Sequence, residues 1–152
     1  MDLQSLADIL IGEWEGQSQL WLDPSKPPES TAVTGQFEWV FGERILRHRY
    51  QGTAAGKPHH GEETYVDNQF QGRLELYWSD SFHMNYAVMK SVGQWTEKGY
   101  DVKGGYEVGK DMAPWGWRTT LEVIAQDHVQ QTAYNISPAG EEDLAVRVDY
   151  RK

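Results

Sequence analysis

Asp80, in the run YWSDS, is the residue of this chain with the most chemistry to offer. It closes an alternating stretch, Arg73 to Asp80, in which Leu74, Leu76 and Trp78 form the apolar side and Asp80 falls on that same side. A carboxylate facing inward must be hydrogen-bonded, paired or neutralised, because burying it alone is costly and raises its pKa. Against a bound molecule it would act as a general acid or base, with His48 or a tyrosine hydroxyl as partner. The simpler reading is local: Asp80 ends its strand and makes a turn with Ser79 and Ser81.

Histidines and acids also gather in KPHHGEE, which holds His59, His60, Glu62 and Glu63. On a strand His60 and Glu62 share a face, so a two-ligand metal contact is open to them, with the distant His83 to complete it. Nothing else in the spacing matches a metal motif; the expectation is a solvated loop leading into a strand, with no metal. His48, alone on an apolar face, reads as a core histidine. The alternative is an axial ligand to haem, with His128 as second candidate. No cofactor is expected, since nucleophile elbows, phosphate-cradling loops and dinucleotide fingerprints are all missing. The chain has no cysteine, which removes disulfides, thiolate zinc sites, iron–sulfur clusters and cysteine nucleophiles.

The elements that must position these residues are mostly strands. Short alternating runs recur between turn signals such as DPSKPPES, AAGKP, DNQFQG, GKDMAP and SPAGEED. They predict strands at 12–22, 32–41, 44–52, 59–66, 73–80, 82–90, 92–97, 100–108, 115–124, 128–136 and 144–151. The connections are too short for crossover helices, so neighbours should be antiparallel. A meander of about ten strands has two edges to dispose of, and closing it into a barrel removes both. Ahead of it, Leu3, Leu6, Ile9 and Leu10 make one apolar helical stripe, with Asp2 or Ser5 to cap it. This predicts a short helix plugging one end of the barrel. Beneath it Trp14 would pack, with Gly12 and Gly16 making room for the indole.

With 152 residues the chain reads as one domain, 1–152, able to bury roughly 70% of the surface its unfolded form exposes. A formal net charge of -9 makes nucleic acid and anionic membrane poor partners. The one dense basic run, ERILRHRY, puts Arg47 and Arg49 on an outer strand face, where pairing with glutamates is expected. The first ten residues carry two acids and no basic segment, and no apolar run approaches about 18 residues, so a soluble cytoplasmic protein is expected.

GEW, placed just after the predicted helix, resembles the Gly-x-Trp signature of lipocalin and calycin barrels. Over a longer stretch, GEWEG, WLDPSKPPESTA, WVFGERIL, YQG, GKPHHG, YVDN and WSDS, in that order from Gly12 to Ser81, resemble the bacterial family called domain of unknown function 1579. The resemblance implies a calycin-like fold with a ligand cavity, and it carries over no catalytic residue. Calycin-like folds host transport, binding, catalysis and haem chemistry alike.

Phasing each strand by its more apolar side gives the interior. Phe37, Trp39 and Phe41 face in, as do Leu46, His48 and Tyr50, then Met84, Tyr86 and Val88, then Trp115 and Trp117, and finally Leu144, Val146, Val148 and Tyr150. The phase of 59–66 is open, with Glu62 the acid considered for the interior. The sequence therefore predicts an all-β, closed antiparallel meander barrel that binds a small, largely apolar, planar molecule. Trp39, Trp78, Tyr86 and Trp117 would be its walls, and His48, Tyr50 and Asp80 its polar contacts. Two alternatives stand beside it: a cofactor-free isomerase, cyclase or hydrolase using Asp80 and His48, and a filled interaction barrel, with dimerisation through Trp21 as a further option.

Overall fold

The computed structural model describes residues 1–152. One helix, α1 (Leu3–Leu10), precedes ten strands: β1 (Gly12–Leu20), β2 (Glu29–Val40), β3 (Ile45–Ala54), β4 (Lys57–Asn68), β5 (Arg73–Asp80), β6 (Met89–Trp95), β7 (Gly99–Tyr106), β8 (Trp115–Ala125), β9 (His128–Ile136) and β10 (Glu142–Arg151). Every strand pairs antiparallel with its sequence neighbours, and β1 closes the ring against β10 from Glu15↔Arg151 to Leu20↔Val146. No helix is long and apolar enough to cross a membrane.

The two ends of the barrel differ. At one end the strands are joined by short turns and covered by α1. Asp2 caps the helix through a reciprocal hydrogen-bonded box with Ser5, and Leu3, Leu6, Ala7 and Leu10 are buried against the barrel core. Trp14 Nε1 donates to the Leu10 carbonyl at 2.6 Å, fixing strand to plug. The Lys152 ammonium donates to the carbonyls of Ile9 and Ile11, which the end of the helix leaves without an intrahelical partner. The two glycines around Trp14 serve its neighbours rather than the indole. Gly16 lets the β10 backbone and the Tyr150 ring approach, while Gly12 adopts a φ of 120° where the chain leaves the helix.

At the other end run the long connections 21–28, 81–88 and 107–114. Leu22, Tyr86, Val88 and Met112 are exposed on them, giving this rim an apolar character. The structure corrects expectations in three segments. In place of strands 82–90 and 92–97 there is one strand, β6, preceded by a loop. Asp80 is the physical reason: its Oδ1 accepts the amides of Phe82, His83 and Met84 and turns the chain out of the ladder. Tyr86 and Val88, expected to face inward, are accordingly 60% and 65% exposed. Phe41 likewise falls beyond its strand, in a turn with φ of 55°, and is 76% exposed. In β10 a bulge between Leu144 and Val146 moves Ala145 into the core and leaves Leu144 opposite Tyr134 on the outer face.

The outer face carries the predicted charge pairing. Arg47 and Arg49 both reach Glu38, at 2.7 and 3.0 Å. Trp21 lies half-buried, with the Arg147 guanidinium over its ring.

Candidate functional site

Below mid-height the interior is packed solid, from α1 up through Trp14, Phe37, Leu46, Leu74 and Leu121. Above it, toward the open end, a cavity of about 60 Å³ remains. Since one water occupies roughly 10–15 Å³ on this measure, the space holds about five water-sized groups. A wider concavity of about 1340 Å³ lies on the outer surface of β1 to β5, lined by such outward residues as Glu15, Gln36 and Glu62. It is open, lined mostly by polar residues, and shares Tyr50 and Asp80 with the smaller interior space, where His48, His59 and His83 also gather.

The floor of the cavity is a closed polar network. His48 Nδ1 donates to Glu63 Oε2 at 2.8 Å, and the same oxygen accepts from the Tyr65 hydroxyl at 2.7 Å. Gln131 donates to Glu63 Oε1 at 2.7 Å and to the Tyr100 hydroxyl at 3.3 Å, which lies 3.2 Å from the Tyr65 hydroxyl. With its Nδ1 proton held by a carboxylate, His48 presents Nε2 as an acceptor to the Tyr150 hydroxyl at 3.3 Å. Phe37 stacks on the imidazole at 4.0 Å and keeps the ring in plane. Burial, together with the Glu63 charge, pushes the Tyr65 and Tyr100 hydroxyls well above the ordinary tyrosine range, so both remain hydrogen-bond donors at any working pH. A carboxylate-oriented imidazole of this kind can accept or pass a proton at Nε2.

Nearer the mouth stands a second cluster centred on Asp80. While Oδ1 holds the turn, Oδ2 lies 2.8 Å from His59 Nε2 and 3.2 Å from His83 Nδ1. The Tyr50 hydroxyl approaches the same oxygen at 3.4 Å and accepts from Trp78 Nε1 at 2.8 Å. Burial would raise the Asp80 pKa, but hydrogen bonds from His59, His83 and the Met84 amide, with the His83 charge, outweigh it. The carboxyl is held far below the usual carboxylate range. Tyr50 takes this position because its ring lies over Gly61 of β4, where any Cβ would collide with it. Trp78 and Trp117 stack at 5.2 Å and form one wall, with the His83 ring 5.6 Å from each.

Of the residues singled out in the sequence, His48, Tyr50, Trp78, Asp80 and Trp117 line this cavity. Trp39 packs against the core of the plugged end, and Tyr86 stands on the rim with its hydroxyl donated to the Glu107 carbonyl. His48 and Asp80, considered as an acid–base couple, belong to separate clusters: the partner of His48 is Glu63, and the partners of Asp80 are His59 and His83. Glu63, not Glu62, is the interior acid of β4, and His59 rather than His60 shares its face. The register carries the signal that sequence lacks, since Glu63 sits opposite both His48 and Trp78 in the ladder.

A profile of the family described as "Protein of unknown function (DUF1579)" matches residues 4–152. No curated protein matches the sequence significantly. Among solved structures the chain is similar to Rv2717c from M. tuberculosis, with a TM-score of 0.67 at 15% identity, covering 100% of this chain and 98% of that one. It is also similar to the S-type phycobiliprotein lyase CPES from Guillardia theta, with a TM-score of 0.61 at 12% identity, covering 100% and 93%. Both likenesses are likenesses of fold.

Proposed function

The chain belongs to the DUF1579 family, whose function is unknown, and we propose that its barrel binds a small molecule through the open end. The observation that carries this reading is the interior cavity, with stacked Trp78 and Trp117 on one side and Tyr50, His48 and Tyr150 offering hydrogen bonds. A flat apolar group against the indoles and a polar atom toward Tyr150 and His48 would satisfy both kinds of wall. Its volume of about 60 Å³ admits the ring-sized tip of a ligand, and the exposed Leu22, Val88 and Met112 on the rim suit the remainder. A phycobiliprotein lyase built on the same fold fits with this reading.

The test is tryptophan quenching with a planar apolar probe, 8-anilinonaphthalene-1-sulfonate. Saturable one-to-one quenching is expected in the wild type. Ala133→Phe, which fills the cavity beside Thr119 and Val146, should weaken it at least about tenfold, or by 1.4 kcal/mol. Undiminished binding in that variant, checked for its fold by circular dichroism, would place the probe elsewhere and overturn the reading. Native mass spectrometry of protein purified from its own host then identifies any retained molecule directly.

A further inference from the structure

We propose that His59, Asp80 and His83 form a binding site for a divalent first-row transition metal ion, Zn²⁺ foremost, at the open end of the barrel. The three side chains come from two strands and a loop: His59 from β4, Asp80 from the end of β5, His83 from the turn that follows. Their ligand atoms lie within 4.8 Å of one another. In a tetrahedral zinc site with bonds of about 2.0–2.1 Å, ligand atoms stand about 3.3 Å apart. His59 Nε2 and His83 Nδ1, at 2.8 and 3.2 Å from the same carboxylate oxygen, already have nearly that spacing.

The carboxylate is prepared for the task. Three backbone amides hold Oδ1, at 3.1, 2.6 and 2.7 Å, so the direction of Oδ2 is fixed without either imidazole. Hydrogen-bonded support of this kind orients ligands at metal sites. Both imidazoles remain part-exposed, at 16% and 20% of the side chain, while the Asp80 side chain is fully buried, so an ion has access from the mouth. Two nitrogens and one carboxylate oxygen suit zinc and its neighbours rather than calcium or magnesium, which favour all-oxygen shells. All three residues also line the cavity, so the remaining coordination positions face it. The Tyr50 hydroxyl, 3.4 Å from Oδ2, is the nearest further polar group in that direction.

The test needs no organic ligand and is therefore independent of the small-molecule reading. Chelator-treated protein is titrated with Zn²⁺ by calorimetry. One ion per chain is expected, with a dissociation constant in the micromolar range or below. His59→Gln and His83→Gln should each weaken it by more than about 100-fold, the upper end for losing a mere outer-shell partner. His60→Gln, whose imidazole lies outside the cluster, should leave it unchanged. Imidazole nitrogen resonances of the wild-type protein supply a second readout that requires no variant: zinc should shift His59 Nε2 and His83 Nδ1 and spare His60 and His128. Absence of stoichiometric binding, affinity that survives both glutamine variants, or shifts confined to other histidines would each overturn the site.

Discussion

Three donors converge on the two carboxylate oxygens of Glu63, and no other acceptor stands within reach of His48 Nδ1. The group is therefore worth more to the fold than a surface acid of the same type. Removing it leaves the His48 Nδ1–H and an amide hydrogen of Gln131 without their acceptor inside the barrel, and the Tyr65 hydroxyl with only the Tyr100 hydroxyl to turn to. Glu63→Ala is expected to lower stability by about 3–5 kcal/mol, the range for breaking a buried pair from one side, as read by equilibrium urea unfolding. A loss below about 1 kcal/mol would mean that water from the cavity replaces the carboxylate. At this scale the sequence was only partly legible. His48, Tyr50, Trp78, Asp80 and Trp117 could be placed inside because their strands have one clearly apolar side. β4 does not: His60 and Glu62 on one face oppose His59 and Glu63 on the other, and polarity alone cannot choose between them. The link from Asp80 to His83 was hidden for a different reason, since a turn built on one side chain leaves no periodic trace.

Among the elements, α1 shows how little sequence a plug needs. Eight residues with four buried positions, capped at one end by Asp2 and tied at the other to Trp14, seal the barrel. A helix this short would not persist alone in water, so its packing face supplies its stability. Leu6 is fully buried at its centre, and Leu6→Ala is expected to cost about 2–5 kcal/mol in thermal or urea unfolding. The helix and most strands follow from period alone: α1, β5 and β9 have the predicted bounds, and the other matching strands differ from their predicted bounds by a few residues at most. The exception is the segment 82–97, where Met84, Tyr86 and Val88 alternate like a strand. Of these three only Met84 is buried, because the three amides bonded to Asp80 Oδ1 curl the chain before a ladder can form.

For the molecule as a whole, acid is the expected denaturant. Asp80 and Glu75 both titrate below their ordinary values in the folded protein. Hydrogen bonds from Lys90, Arg73 and Tyr77 bring the Glu75 carboxyl from 4.5 to about 2, against the opposing effect of burial. A carboxyl depressed on folding contributes stability that is complete above its unfolded pKa and is lost as pH falls through the folded one. The melting temperature is therefore expected to hold down to about pH 4.5 and then drop steadily toward pH 2, with Asp80 extending the decline further. Glu75→Gln should flatten the first part of that fall; an unchanged profile would show that these carboxyls do not govern it.

The sealed helical end has a kinetic consequence. If the barrel binds a guest as proposed, that guest loads and empties along one path, past His83 and the connection that bears it. By microscopic reversibility, a substitution on that path that does not touch the resting guest slows arrival and departure by the same factor. Under that proposal residence time and affinity are uncoupled: positions of loop 81–88 that do not touch the guest, unlike His83 and Val88, would tune how long it stays without altering how tightly it is held.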